Sequence, residues 1–248
     1  MADAADPEEA LYARMRWNMP LSAEHAGLLL DRLDLRPGQR ITDLGCGWGE
    51  LLLAAVERAG AGTTGARAGT TGVGVDTDRP LLARGRAAAA RRGLDVSFTD
   101  ADATGWRGTA DRVLCTGAGH AFGGTAGALR ALATMVAPGG RLLLGDAFWS
   151  QPPSAAAIEI FGDDLLELPE LLEASRAEGW RVIHFSEADQ REWDDFESTF
   201  RAGQQEWLLA NGDDPRAPGI REWLDGRERQ YVTVYRGLLG FAYLVLAR

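Results

Sequence analysis

A glycine-rich turn follows the first apolar strand that the sequence predicts. Asp43 precedes three glycines in the pattern D-x-G-x-G-x-G, and these are Gly45, Gly47 and Gly49. Glycine lets a backbone adopt positive φ and pass close to a ligand. A dinucleotide fingerprint, G-x-G-x-x-G, would need a glycine where this chain has Glu50. The Asp43 carboxylate can meet an ammonium, or through water the polar atoms of an amino-acid tail, whereas it would repel a pyrophosphate.

Acidic residues follow the next two predicted strands. Asp76 ends the second strand, and Asp100 and Asp102 follow the third. A carboxylate in the position of Asp76 commonly accepts both hydroxyls of a ribose. An acid beside a backbone N–H, as at Asp102 and Ala103, can bind the amino edge of an adenine, and Asp100 ranks below Asp102. An amino-acid tail, a ribose and an adenine together make up S-adenosylmethionine.

Positioning these residues requires a sheet that brings the ends of several strands to one edge. Short apolar strands alternate with helical segments through the first 150 residues, which indicates βαβ units and a parallel sheet with helices on both faces. Ligands of such sheets bind beyond the carboxyl ends of the strands. We predict strands at 41–44, 73–75, 96–98, 112–115 and 141–144, and helices at 7–16, 22–33, 50–59, 80–92 and 125–136, the last stopping at 138–140.

Five segments together resemble class I S-adenosylmethionine-dependent methyltransferases. They are ITDLGCGWGE, GVGVDTD, FTDADATGW, ADRVLCTGAGHAFGG and MVAPGGRLLLGDAFW, in the family's order, and they cover about residues 40–150. The resemblance implies an α/β fold with a Rossmann-like, seven-stranded, mostly parallel sheet whose last strand is antiparallel. It implies S-adenosyl-L-methionine as cofactor and S-adenosyl-L-homocysteine as product. The implied cofactor-binding residues are Asp43, Gly45, Gly47, Asp76, Thr77, Asp102, Ala103 and Thr116.

The second half of the chain is longer than a minimal methyltransferase needs. We predict helices near 154 and at 169–177, a sixth strand at 180–185 and a last strand at 239–246. Because the sixth strand should end at the ligand edge, residues 186–238 are a candidate lid. Together with the N-terminal helices of residues 7–33, they form the predicted helical cap of one methyltransferase domain spanning 1–248.

Aromatic residues recur at helical spacing within the predicted lid, and Glu197 lies on the same stripe. One interpretation is a helix packed onto the domain. The other is that part of the stripe walls the acceptor pocket and that Glu197 orients a polar or cationic substrate. An apolar enclosure of this kind suits an aromatic or heterocyclic small molecule. The predicted substrate-binding residues are Trp17, Phe122, Trp149, Phe196 and Glu197.

His120 is the predicted catalytic residue. It follows the fourth strand, where the resemblance to methyltransferases places the methyl-transfer site, and imidazole is the side chain suited to proton transfer at neutral pH. The alternative is that His120 only donates or accepts a hydrogen bond.

The favoured function is methyl transfer to oxygen or nitrogen of a small molecule. The alternatives are a lipid or carbon acceptor, a non-catalytic S-adenosylmethionine-binding or scaffold protein, and, least favoured, a nicotinamide-dependent oxidoreductase. The chain as a whole also resembles small-molecule methyltransferases of actinobacteria.

Composition excludes several other classes of protein. A net charge of −10, from 36 acidic and 26 basic residues, argues against a nucleic-acid or anionic-membrane surface. All the basic residues are arginine, so the chain lacks the lysine of pyridoxal-phosphate enzymes and of P-loops. Two cysteines, Cys46 and Cys115, make neither a disulfide framework nor a Cys-rich metal site, and we predict no metal. Short apolar runs and an acidic N-terminus without a signal-peptide pattern predict a cytoplasmic protein. Its oligomeric state is left open between a monomer and a homodimer.

Overall fold

The computed structural model describes residues 6–61 and 69–248, which form two compact units. The glycine-rich insert before the second strand falls partly within residues 62–68, outside the described residues. One unit, which we name the sheet unit, comprises Ser22–Phe148, Asp164–Glu187 and Phe241–Arg248. The other, the helical unit, comprises the described part of Met1–Leu21 with Trp149–Asp163 and Ala188–Gly240.

The sheet unit is built on seven strands in the order β3-β2-β1-β4-β5-β7-β6. Strands β1 to β5 pair in parallel, and β7 runs antiparallel to β6. The predicted mostly parallel sheet with an antiparallel last strand is therefore confirmed. The strands are β1 (Arg40–Leu44), β2 (Thr71–Asp76), β3 (Val96–Asp100), β4 (Ala110–Thr116), β5 (Val136–Trp149), β6 (Arg181–Glu187) and β7 (Leu239–Ala247).

Helices connect the strands and begin at recognisable caps. The Ser22 hydroxyl accepts a hydrogen bond from the His25 N–H, and the Asp78 carboxylate accepts one from the Leu81 N–H, so each side chain satisfies a backbone donor of the first helical turn. The helices of the sheet unit are α2 (Ala23–Arg32), α3 (Glu50–Ala59), α4 (Arg79–Arg92), α5 (Thr125–Leu132) and α7 (Leu168–Ala177).

The prediction for residues 125–144 is wrong at the boundary between helix and strand. Helix α5 ends at Leu132, and β5 already begins at Val136 instead of residue 141. Pairing with β4 extends the strand, because Val136 lies opposite Ala110 and the Ala110 N–H donates to the Met135 carbonyl at 2.9 Å. A register shift in this ladder follows Ala110, so Pro138–Gly140 lie inside the extended segment and do not end a helix.

The core of the sheet unit covers the central strands. Leu44, Val113 and Leu142, on β1, β4 and β5, are fully buried. Trp180 is 1% exposed and satisfies its indole N–H by donating to the Leu129 carbonyl at 3.1 Å. Each such side chain contributes about 1.5–3 kcal/mol by leaving water, so the core fixes the strand ends to which the candidate site belongs.

The helical unit is built around one long helix. Its N-terminal helix ends at Ala10, not at residue 16 as predicted. After Ala10 the chain continues in a turn, in which the Ala13 N–H donates to the Ala10 carbonyl at 3.1 Å. The short helix packs on the long one: the Pro7 carbonyl accepts from the Gln204 amide, and a Cβ at Gly203 would lie 2.0 Å from the Ala10 carbonyl oxygen. The elements are α1 (Pro7–Ala10), α6 (Ala155–Phe161), α8 (Gln190–Ala210), α9 (Ala217–Gln230) and a π-helix at Tyr231–Tyr235.

Candidate active site

The glycine-rich turn after β1 is tied to the end of β2. The Gly45 and Cys46 N–H groups both donate to the Val75 carbonyl, at 2.9 and 3.1 Å. The Gly47 N–H donates to Oδ2 of Asp76 at 2.7 Å. The turn and the carboxylate predicted to bind a ribose are therefore one hydrogen-bonded structure.

Gly45 cannot carry a side chain in this turn. Its φ is +74°, in the left-handed region, and a Cβ placed on it would lie 2.4 Å from Cβ of Ala118. Real atoms do not approach this closely, and L-residues with side chains rarely adopt this conformation. The glycine brings the backbone of the β1 turn against the loop that follows β4.

Asp43 is a buried carboxylate in the strand below this turn. It is 3% exposed, and its Oδ1 has no hydrogen-bond partner among the described residues. Burial, with a smaller contribution from the negative charge of Asp76, raises the pKa of Asp43 to about 8. An unpaired buried oxygen is costly, so this site is suited to a ligand that supplies a donor or a positive charge.

The Asp76 carboxylate has capacity left for a ligand. Besides the Gly47 N–H on Oδ2, its Oδ1 accepts the Asp78 N–H at 2.9 Å. An ionised carboxylate offers about four acceptor positions, so two further donors can bind. Thr77, the other predicted cofactor-binding residue of this segment, is exposed.

The structure distinguishes Asp102 from Asp100, as the sequence analysis does. Asp100 accepts a hydrogen bond from Arg79 Nε at 2.6 Å. Asp102 caps the short 3-10 helix Ala103–Gly105, and its Oδ1 accepts both the N–H and the hydroxyl of Thr104 at 2.7 Å. These hydrogen bonds lower the pKa of Asp102, which therefore stays ionised at neutral pH.

The end of β4 carries Thr116 and His120. Thr116 is 8% exposed and lies beside Gly145 of β5 in the parallel ladder. His120 is exposed on the 3-10 turn Gly119–Phe122, and Phe122 is half-buried against the core of the sheet unit. His120 therefore lies at the carboxyl edge of the sheet, where the sequence analysis places it.

Asp146 is a candidate site residue that was not predicted from the sequence. It follows Gly145 near the carboxyl end of β5 and is half-buried. Its Oδ2 accepts the Thr125 hydroxyl at 2.9 Å, and its Oδ1 accepts the Ala147 N–H at 3.0 Å. Burial raises the pKa of Asp146. The only local signal for it is that it comes two residues after the predicted fifth strand, near the edge where ligands bind.

Two predicted substrate-binding residues come together within the helical unit. Trp17 and Phe196 both line a small cleft, whose other lining residues include Glu192 and Asp195. Trp149, the last residue of β5, is 5% exposed, and its indole N–H has no partner among the described residues. That Trp17, Trp149, Phe196 and Phe122 of the sheet unit bind a substrate stays a prediction.

Glu197 has partners of its own inside the helical unit. Its side chain is 2% exposed and accepts two hydrogen bonds from Arg227, at 2.9 and 3.0 Å. The Tyr235 hydroxyl donates to the same carboxylate at 2.8 Å. Its charge and lone pairs are thus already engaged, which assigns Glu197 to the internal packing of this unit rather than to orienting a substrate.

Burial raises the pKa of both the Cys46 and the Cys115 thiols, so each is an inert, protonated side chain.

Within residues 6–61 and 69–248, no group of three or more His, Cys, Asp or Glu side chains could hold a metal ion. Over the same residues, no helix is long and apolar enough to cross a bilayer.

Comparison with known proteins identifies the family. A family model described as a methyltransferase domain matches residues 41–140. The uncharacterized protein YjhP of Escherichia coli K12 is 33% identical over 240 residues, which cover 93% of each chain. An S-adenosylmethionine-dependent methyltransferase from Geobacter sulfurreducens, solved with S-adenosyl-L-homocysteine, superposes with a TM-score of 0.84 at 31% identity, covering 100% of this chain and 99% of that one.

A second such enzyme, from Thiobacillus denitrificans and also solved with S-adenosyl-L-homocysteine, has a TM-score of 0.82 and 30% identity, with 99% of each chain covered. These three relatives do not support the resemblance to actinobacterial proteins in particular. The residues at the strand ends fit the cofactor: Asp43 has a buried oxygen without a donor, and a Cβ at Gly45 would fill the turn. The chain belongs to the class I S-adenosylmethionine-dependent methyltransferases, an enzyme family whose cofactor is S-adenosyl-L-methionine.

Proposed function

We propose that this enzyme methylates an oxygen or nitrogen atom of a small aromatic or heterocyclic molecule. The observation that carries the cofactor half of the proposal is the buried, unpaired Oδ1 of Asp43 beneath a glycine turn that Asp76 holds in place. When bound, S-adenosylmethionine supplies a methyl group already activated by its sulfonium. The protein's part is to orient the reactants and to exclude water.

The residues after the first three strands divide the cofactor between them in this proposal. Asp43 would neutralise the ammonium of the methionine tail, and Gly45 and Gly47 would let the backbone pass close to it. Asp76 would accept the ribose hydroxyls with the acceptor positions that its two backbone hydrogen bonds leave open. Asp102, ionised and exposed, would accept the adenine amino group beside Ala103. Thr77 and Thr116 would border the same groups.

The acceptor requires a different set of residues. His120 would face the acceptor atom and remove its proton, or hold it by a hydrogen bond where no proton must leave early. Phe122, Trp17, Trp149 and Phe196 would provide apolar contact. The cleft that Trp17 and Phe196 both line supports apolar contact there. The unpartnered indole N–H of Trp149 would donate a hydrogen bond to a polar atom of the acceptor.

Cofactor binding and turnover test the proposal separately. Isothermal titration should give saturable binding of S-adenosylmethionine and S-adenosylhomocysteine, and Asp43→Asn should weaken it. The matched control is Asp100→Asn, which removes a carboxylate that is already paired with Arg79. Methyl transfer is then measured by S-adenosylhomocysteine release with a panel of phenols and amines. Absence of cofactor binding would overturn the proposal.

The alternatives remain distinguishable by the same assay. A non-catalytic S-adenosylmethionine-binding protein would bind the cofactor and release no S-adenosylhomocysteine with any acceptor. A lipid acceptor would show turnover only with dispersed lipid. A carbon acceptor would give a product that keeps every exchangeable O–H and N–H proton, which mass spectrometry in deuterated water detects.

A further inference from the structure

Asp146 belongs to a small polar cluster at the end of β5 that the proposed cofactor site does not use. The cluster joins three elements: β5 contributes Asp146, α5 contributes Thr125, and the turn after β4 contributes Gly119 and His120. Both Asp146 oxygens accept a hydrogen bond, one from the Thr125 hydroxyl at 2.9 Å and one from the Ala147 N–H at 3.0 Å. The carboxylate is thus held in one orientation.

Gly119 makes room for this carboxylate. A Cβ at Gly119 would lie 2.5 Å from Oδ2 of Asp146, closer than any real contact, so the carboxylate lies directly against the backbone of the turn. His120 is the next residue of that turn. The glycine therefore brings a half-buried negative charge beside the predicted base.

The charges around Asp146 are unequal. Desolvation is the main cause that raises its pKa, and Asp164, in the segment before α7, raises it further. The positive form of His120 lowers it. The negative charges of Asp43 and Asp146 also raise the pKa of the buried Cys115 thiol, so this part of the sheet edge is acidic, and the positive form of His120 opposes that charge at Asp146.

We propose that Asp146 is a positioning residue that holds the His120 turn and balances the charge His120 gains when it accepts a proton from the acceptor. The inference rests on the proposed function and deepens it: the acceptor carries an O–H or N–H group whose proton leaves during the reaction. As that bond breaks, its electron pair stays on the acceptor atom and the proton passes to the unprotonated ring nitrogen of His120. The Asp146 carboxylate stabilises the resulting imidazolium without touching the substrate.

Carboxyl titration of the unliganded protein tests the pair without any substrate. Aspartate labelled with ¹³C is followed by NMR against pH, and the Asp146 signal is assigned by its absence in Asp146→Asn. His120→Gln should move the Asp146 midpoint upward, and Asp164→Asn should move it downward, because the two neighbours act with opposite sign. Glu178→Gln is the matched control on a half-buried carboxylate that already pairs with Arg130 of α5, and it should leave the Asp146 midpoint unchanged. If the titration midpoint of Asp146 is the same in His120→Gln as in the wild type, the proposal is overturned.

Kinetics supplies the second readout, with the acceptor of the phenol and amine panel that turns over best. We expect Asp146→Asn to lower kcat about 10-fold to 100-fold near neutral pH, to displace the pH profile, and to leave the KM for S-adenosylmethionine unchanged. Asp146→Glu should restore part of the rate. An equal loss at every pH, without rescue, would mean that Asp146 is only structural. Failure of the wild type to bind S-adenosylmethionine would defeat the proposed function, whereas the titration would still report whether the pair exists.

Discussion

The Gly47 N–H donates to the Asp76 carboxylate across 2.7 Å, from the turn after β1 to the end of β2. One side chain thus fixes the glycine turn and also presents acceptors to a ligand. A substitution at Asp76 should accordingly affect both the shape of the turn and the affinity for the cofactor.

Replacing Asp76 with Asn should weaken S-adenosylmethionine binding by about 10-fold to 100-fold, which corresponds to loss of one charged hydrogen bond worth about 1.5–3 kcal/mol. Isothermal titration measures the loss. Asp95→Asn is the control, because Asp95 lies just before the amino end of β3, at the opposite edge from the candidate site, and this variant should bind with wild-type affinity. Equal affinity of Asp76→Asn and wild type would remove Asp76 from the cofactor site.

Gly45→Ala should destabilise the protein more than Gly93→Ala does. Both glycines have positive φ, but only at Gly45 does the added Cβ meet another atom, Cβ of Ala118 at 2.4 Å. Strain alone should cost about 1 kcal/mol, and the clash should add about 1–3 kcal/mol. Urea denaturation of the two variants gives the difference, and equal losses would show that the turn can move away from Ala118.

Asp43 should make the unliganded protein less stable as the pH rises. Folding raises the pKa of Asp43 from 3.8 to about 8, so between these values the folded chain keeps a proton that the unfolded chain releases. The contribution of the protonated Asp43 to the stability of the folded protein is therefore complete below about pH 4 and is lost as the pH rises through about 8. Asp43→Asn should remove this part of the pH dependence.

Thermal unfolding at pH 5.5 and at pH 8.5 checks the prediction for Asp43. The wild type should lose more stability between these two values than Asp43→Asn does, because all other ionisable groups are shared. Parallel pH profiles would mean that Asp43 is ionised in the folded protein, and its unpaired oxygen would then need another partner.

Local patterns predicted the parts of the site whose chemistry is contained in a few consecutive residues. The D-x-G-x-G-x-G turn and the positions of Asp76 and Asp102 after their strands are of this kind, because one strand end and its next residues determine them. The end of α5 was predicted wrongly because Pro138 and Gly139 were interpreted as local breakers, whereas pairing with Ala110 of β4 decides the conformation.

Contacts between distant residues explain what the sequence did not reveal. Asp146 becomes a site residue only beside Thr125, 21 residues away, and Gly119. The partners of Glu197 lie 30 and 38 residues further along the chain, at Arg227 and Tyr235. A helical stripe shows that Glu197 faces inward, but it contains no information on which side chain meets it there.

Glu197→Gln should reveal whether this carboxylate packs the helical unit or orients a substrate. Glu197 is buried with Arg227 and Tyr235, so removal of its charge leaves a partly buried guanidinium without a counter-ion, at a cost of about 3–5 kcal/mol. Glu206→Gln is the matched control on the same helix, because Glu206 and its partner Arg14 are 50% and 43% exposed and their ion pair should be worth less than about 1 kcal/mol. Urea unfolding followed by tryptophan fluorescence measures the loss, and the signal includes Trp193 and Trp207 of α8 among the eight tryptophans of the chain. If Glu197→Gln is stable and raises the KM for the acceptor, the packing role is contradicted and Glu197 belongs to the substrate site. A large loss of stability, reproduced in part by Tyr235→Phe, would instead show that the carboxylate stabilises the fold, because the two variants break the same buried network.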